Sequence, residues 1–236
     1  MTDELWIDLE TFGHVDIKNG TDNYSRGTEI MLFSYALNDE PARCWDITTG
    51  AQMPVDLYHY LYKTDMPIIA HNSRFEESVL AFHNYRIDPS RYRCTMAQAL
   101  AHGLPGALEK LCEIFKIDDD KAKLKDGKAL VRLFCCPRPK NMKLRRATKE
   151  THPEEWKRFV TYGNQDVEAM RAIRKIMPAW NYGDGSEAAR RELALWHLDQ
   201  RINQRGIAID TELVAGAIIT AGRVREQLAA RTHEMT

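Results

Sequence analysis

Leu5-Trp6-Ile7-Asp8-Leu9-Glu10 decides the fold. Its first five residues are short, apolar and β-prone, and read as a buried strand ending near Glu10. Alternation along a strand sends Asp8 and Glu10 to one face. Paired carboxylates suit hard divalent cations, and a buried strand's end is where open α/β sheets place ligands. Spacing alone is weak, since average composition yields about one D-x-E in a chain this long. Asp166-Val167-Glu168 and Asp210-Thr211-Glu212 share it, but they read as helix interior and helix start, where i and i+2 point apart.

Outward from that strand, residues 13–27 form a loop rich in Gly, Asn, Asp and Ser. Residues 30–37 read as a second strand, Asn38-Asp39-Glu40-Pro41 as a turn and residues 42–47 as a third strand, an antiparallel meander. Residues 55–63 suit a helix. Pro67-Ile68-Ile69-Ala70-His71 is a buried strand whose exit, Asn72-Ser73, resembles a cap for a helix over 74–83. The signal is then mostly helical, with Leu108, Leu111, Cys112 and Phe115 on one face of a helix over 107–115. Pro153-Glu154-Glu155 opens a helix that runs to Met177, with a candidate break at Gly163-Asn164 and a stop at Pro178.

The pattern predicts an α/β fold with a mixed five-stranded sheet, strands 1–3 antiparallel and later strands parallel, flanked by helices. Tyr182-Gly183-Asp184-Gly185-Ser186 is the best boundary, dividing a main domain over 1–182 from an extension over 183–236. The extension reads as a helix from Glu187 to about Asn203, a turn at Arg205-Gly206, a short Ile207-Ala208-Ile209 strand and a helix from Thr211. That last helix meets no stop signal before Thr236, so the chain reads as cut inside an element.

With 236 residues and 44% hydrophobic content, one full α/β core is expected, plus an appended element. No apolar run approaches the ~20 residues of a membrane span, and Met1-Thr2-Asp3-Glu4-Leu5-Trp6 lacks the basic and apolar regions of a signal peptide. A cytoplasmic monomer is expected. Cys44, Cys94, Cys112, Cys135 and Cys136 form no C-x-x-C pair and read as reduced core or loop residues. The formal net charge is −1, yet residues 121–149 hold eleven Lys and Arg against Asp126 alone, and residues 1–57 hold eleven acids against three bases. Such asymmetry suits carboxylates gathered at one place and a polyanion gripped at another. A solvated basic loop is the alternative.

Two further motifs follow the first. His71-Asn72-Ser73-Arg74-Phe75-Glu76 leaves a strand and puts Glu76 on a helix's first turn, a position the helix dipole favours in any case. Tyr162-Gly163-Asn164-Gln165-Asp166 sets a phenol and a carboxylate at i and i+4 on one helical face. Asn84-Tyr85-Arg86-Ile87-Asp88 also fits N-x-x-x-D, but it ends in a proline-containing turn and ranks below Glu76.

In order and context the three motifs resemble the DEDD 3′→5′ exonucleases with a ribonuclease-H-like fold, in the branch whose third motif carries tyrosine. The histidine branch would need His where this chain has Thr161. Glu76 stands where most of that family has aspartate, and phage family-A DNA polymerases look similar in this respect. Leu108-Glu109-Lys110-Leu111-Cys112-Glu113-Ile114-Phe115, the segment from Lys125 to Phe134, Cys136-Pro137-Arg138-Pro139 and the stretch 195–210 also look like parts of such polymerases.

The resemblance implies proofreading hydrolysis of DNA 3′ ends with two Mg²⁺ or Mn²⁺ ions about 3.5–4 Å apart. Asp8 would bridge the ions, Glu10 and Asp166 would hold the one on the nucleophile side, Glu76 would act through water, and Tyr162 would orient the attacking water. Thr11 and Phe12 would contact the 3′ end and stack on its base, such stacking being worth ~1–3 kcal/mol. Phe12 as plain core is equally open. Asn72, Arg74, Phe75, Lys125, Lys128 and Arg132 are the implied nucleic-acid contacts, with Lys121, Lys123, Arg145 and Arg146 as further phosphate candidates. The implied partners are a single-stranded or frayed primer end and a polymerase domain in cis, in the host cytoplasm of a phage. Two other readings stand beside this one: a free-standing DEDD exonuclease acting on RNA or short oligonucleotides, and a catalytically inactive module that binds primer ends.

Overall fold

The computed structural model describes residues 3–117, 127–139, 141–177 and 186–235. In chain order the elements are β1 (Leu5–Gly13), α1 (Thr21–Arg26), β2 (Thr28–Leu37), β3 (Arg43–Asp46), α2 (Val55–Tyr62), β4 (Ile68–Ala70), α3 (Ser73–Phe82), β5 (Tyr92–Cys94) and α4 (Thr95–Ala101). They continue with α5 (Leu108–Phe115), α6 (Gly127–Phe134), α7 (Pro153–Ile176), α8 (Glu187–Arg205) and α9 (Thr211–Met235).

The sheet order is β3-β2-β1-β4-β5. β1 pairs antiparallel with β2, and β2 with β3, whereas β1 with β4 and β4 with β5 are parallel. This is the expected mixed five-stranded sheet of a ribonuclease-H-like fold. Alternation along β1 builds two layers. Leu5, Ile7 and Leu9 pack on one face with Leu57 and Leu61 of α2 and Val79 and Leu80 of α3. Trp6 joins Leu111, Val167, Met170 and Ile173 of α5 and α7 on the other. Asp8 and Glu10 continue the face of Trp6, so the pair lies on the α7 side.

Several local readings change. β1 runs past Glu10 to Gly13, and Leu32 and Ile30 oppose Glu10 and Thr11, leaving Met31 as an extra residue on β2. A bulge of this kind bends the pair and re-aims side chains just beyond it. The loop over 13–27 contains α1, and β5, only three residues long, was too short to show any alternation. Gly163-Asn164 does not break α7. A Cβ at Gly163 would lie 2.8 Å from Ser34 Oγ and 3.7 Å from Glu10 Cγ, so this glycine lets the helix settle directly on β1 and β2. Asn72 occupies the N-cap position of α3 with φ 69° and makes no side-chain cap. Its carbonyl instead accepts from Phe75 N at 2.7 Å, and asparagine is one of the few residues that tolerates this left-handed conformation.

The chain divides into two compact units, Met1–His197 and Leu198–Thr236. In the second, Asp210 caps α9 by accepting from the amides of Glu212 and Leu213, both at 3.0 Å. The expected Ile207-Ala208-Ile209 strand does not form, and Ile207 is 91% exposed. Among the described residues no strand lies alongside to take up its amides and carbonyls, and β-propensity alone does not make a strand. Among the described residues no helix is long and apolar enough to cross a membrane.

Candidate active site

Three of the four expected carboxylates come together. One ligand oxygen from each of Asp8, Glu10 and Asp166 can be chosen so that all lie within 4.8 Å of one another. Asp8 is half-buried, while Glu10 and Asp166 are buried. Local structure accounts for each: strand alternation aims the first two, and the close approach at Gly163 brings the next turn of α7 over them. Acids held this near to one another in a desolvated place repel unless a cation or a proton joins them.

Tyr162 sits one turn before Asp166, buried, and is hydrogen-bonded to it. Burial, and after it the charges of Asp166, Glu10 and Asp8, push the phenol far above its ordinary range. The Tyr162 hydroxyl therefore keeps its proton and acts as a donor. Below it the rings of Phe159 and Phe134 continue the stack, with centroids 6.4 Å and 5.0 Å apart in turn.

Glu76 is not one of the three clustered acids. It lies on the first turn of α3, 3% exposed, and its Oε2 has no hydrogen-bond partner among the described residues. Burial first, then the Asp8 charge, raise its carboxyl well above the usual range. The protonated form is thus the one the fold favours. Without metal, ionisation of Glu76 costs stability, and the cost grows as pH rises from the ordinary carboxylate range through the raised value. Glu76→Gln in EDTA is accordingly expected to melt at a higher temperature than wild type at pH 8, with the gap closing towards pH 4. A gap independent of pH would show that Glu76 is not held this way.

A cleft of about 330 Å³ opens beside the cluster, lined by Asp8, His71, Gly106, Ala107, Leu108, Glu109 and Asp166. His71 fixes its wall, with Nδ1 2.9 Å from Thr95 Oγ1 and Nε2 2.7 Å from the Gly106 carbonyl. Motif reading assigned no role to His71, and its spacing from the acids carried no signal.

The expected nucleic-acid contacts fare unevenly. Thr11 is buried and its Oγ1 lies 2.8 Å from the Tyr24 hydroxyl. Phe12 is 2% exposed, packed with Leu130, Phe134 and Phe159, and the Arg146 guanidinium lies 4.0 Å over its ring. In this conformation the ring is core and its face is not open to a base; alternation along β1 puts it on the same side as Asp8 and Glu10, under α6 and α7. Phe75 is half-buried and tilts against Tyr24 at 5.8 Å. Arg74 faces Glu77 at 3.9 Å, Lys128 meets Glu109 at 2.6 Å and Arg146 meets Glu29 at 2.6 Å. Arg132 and Arg145 are exposed. Lys121, Lys123 and Lys125 lie outside the described residues.

Two contacts had no sequence signal. The Cys135 thiol donates to Glu10 Oε2 at 3.6 Å, and desolvation with the Glu10 charge holds that thiol well above its ordinary value, so it stays a donor. Gly127 abuts the Tyr162 ring.

No protein-family model matches the chain. It is 36% identical to a DNA polymerase of Bacillus phage SP02, over 98% of its own length and 36% of the relative's, so it spans just over a third of that protein. Among solved structures, Brucella melitensis NrnC with bound Mg²⁺ superposes with a TM-score of 0.52 at 15% identity, over 87% of each chain. NrnC bound to pGG does so with 0.52 at 16%, over 87% of this chain and 86% of that one. The resemblance to phage DNA polymerases read from the motifs is borne out: the chain is a relative of one.

Proposed function

From a ribonuclease-H-like chain related to a phage DNA polymerase, we propose a metal-dependent 3′→5′ exonuclease domain that trims DNA ends for a polymerase in cis. The observation that carries this reading is the cluster of Asp8, Glu10 and Asp166 beside Tyr162. An all-oxygen anionic set fits Mg²⁺ or Mn²⁺ and is too hard for copper or a structural zinc site. The buried Glu76 Oε2, without a partner among the described residues, is the kind of atom a bound cation or its hydration would satisfy.

Asp8, Glu10 and Asp166 would hold the divalent metal, with Glu76 beside them. Bound ions would supply Lewis-acid stabilisation of the scissile phosphate and an acidified attacking water. The protein's own groups do the rest. Tyr162 keeps its proton on Oη and orients the attacking oxygen towards Asp166. His71, fastened at both ring nitrogens, keeps the cleft wall in place for the terminal nucleotide. NrnC has been solved with Mg²⁺ and with pGG, which agrees with a metal-bearing, nucleotide-sized cleft in this fold. In this reading residues 1–182 are the exonuclease domain, residues 183–236 lead into the polymerase, and the protein works in the host cytoplasm on frayed primer ends.

Single-stranded DNA and RNA of one sequence, incubated with Mg²⁺, Mn²⁺ or EDTA, separate the readings. Mononucleotide release from DNA that EDTA stops is expected. Release from RNA alone would favour the RNA exonuclease, and retention without cleavage the binding module.

A further inference from the structure

Helix α6 touches the cluster at both ends. At its start Gly127 is buried, and a Cβ there would fall inside 3.0 Å of the Tyr162 ring, a separation real Cβ atoms do not tolerate. Just past its end the Cys135 thiol donates to Glu10 Oε2 at 3.6 Å. The Cys135 carbonyl accepts from Gly13 N at 3.2 Å, tying the same point to the end of β1. Between these ends Leu130 and Phe134 are 2% and 0% exposed and pack with Phe12, Phe159 and Tyr162. One short amphipathic helix thereby fixes a phenol on α7 and a carboxylate on β1, which come from opposite ends of the fold's sequence.

We propose that α6 is a brace for the catalytic cluster, in which Gly127 and Cys135 are positioning residues: Gly127 sets the Tyr162 ring and Cys135 aims the Glu10 carboxylate. The proposal rests on the exonuclease reading for its catalytic consequence, but not for its effect on metal binding. A carboxylate with two oxygens can turn about its last bond, and one donor at 3.6 Å selects which oxygen faces Asp8 and Asp166. Removing such an outer hydrogen bond to a metal ligand lowers metal affinity or activity about 10–100-fold. The glycine acts differently, since a methyl group there pushes the ring and leaves the acids in place.

The test uses the whole chain, with Mn²⁺ as probe and free Mn²⁺ followed by electron paramagnetic resonance. Cys135→Val keeps the side-chain size without a donor and should bind Mn²⁺ about tenfold more weakly, with kcat falling too. Cys135→Ser restores a donor and should recover most of both. Gly127→Ala should lower kcat with Mn²⁺ affinity and KM unchanged, and should add no further loss to Tyr162→Phe, because both act through one ring. Equal Mn²⁺ binding by the valine and serine variants would overturn the role of Cys135. Losses from Gly127→Ala and Tyr162→Phe that multiply would overturn that of Gly127. Wild-type chain that cuts no strand yet loses Mn²⁺ affinity in Cys135→Val would sink the exonuclease reading and leave the brace standing.

Discussion

Asp166→Asn is expected to lower the rate of DNA cleavage by on the order of a thousandfold or more, ~4 kcal/mol of barrier, while leaving the fold intact. The side chain is 6% exposed and shares a cluster 4.8 Å across with Asp8 and Glu10. Asparagine keeps the shape and an acceptor for the Tyr162 hydroxyl, but it removes one of three charges that would hold the ions. Less like-charge repulsion remains in the metal-free protein, so the melting temperature in EDTA should stay level or rise. That combination, a lost rate with retained stability, distinguishes a chemical role from a structural one. Asp8→Asn should behave alike. Activity within tenfold of wild type in either variant would remove the residue from the site.

Gly163→Val is expected to damage fold and activity together. The glycine lies mid-helix, where alanine would ordinarily gain ~1 kcal/mol of helix propensity. Against that stands a Cβ position 2.8 Å from Ser34 Oγ, with Ser34 1% exposed and unable to retreat far. Overpacking of a filled core costs about 1–3 kcal/mol. For alanine the two effects nearly cancel, and rotation of the serine hydroxyl decides the sign. Valine adds bulk and loses most of the propensity gain, so overpacking wins, by ~2–3 kcal/mol on the same scale. Helix α7 must then lift from β1, carrying Asp166 away from Asp8 and Glu10. The denaturation midpoint and cleavage rate should fall in step, and Ser34→Ala should recover part of the loss in Gly163→Val. An unchanged denaturation midpoint for the valine variant would mean that α7 does not approach the sheet as described.

Both predictions turn on features that differ in how far the sequence disclosed them. Asp8 with Glu10, and Tyr162 with Asp166, were legible because their geometry is local: period two in a strand and i, i+4 in a helix fix which side chains share a face. Glu76 on the first turn of α3 was legible for the same reason. The mixed sheet followed from a meander succeeded by alternating strand and helix. What stayed hidden depends on contacts between distant segments. Gly163 read as a break because a mid-helix glycine usually costs stability, and only the nearness of Ser34 and Glu10 explains it. Phe12 read equally well as a stacking platform or as core, since the residues that cover its ring, Leu130, Phe134, Phe159 and Arg146, are distant in sequence. Cys135 and Glu10 are 125 positions apart, and no spacing rule joins a vicinal cysteine to a strand acid. The Ile207-Ala208-Ile209 segment has strand composition without a partner, and composition alone cannot supply one.

Single-stranded DNA labelled at its 5′ end, incubated with the chain and Mg²⁺ and sampled over time, bears on the whole account at once. The label reports every length the strand passes through. A ladder that shortens one nucleotide at a time from the 3′ end, stops on adding EDTA and is absent with Asp166→Asn is the predicted result. Release of the label as a mononucleotide from the intact strand, or a strand left at full length, would contradict it.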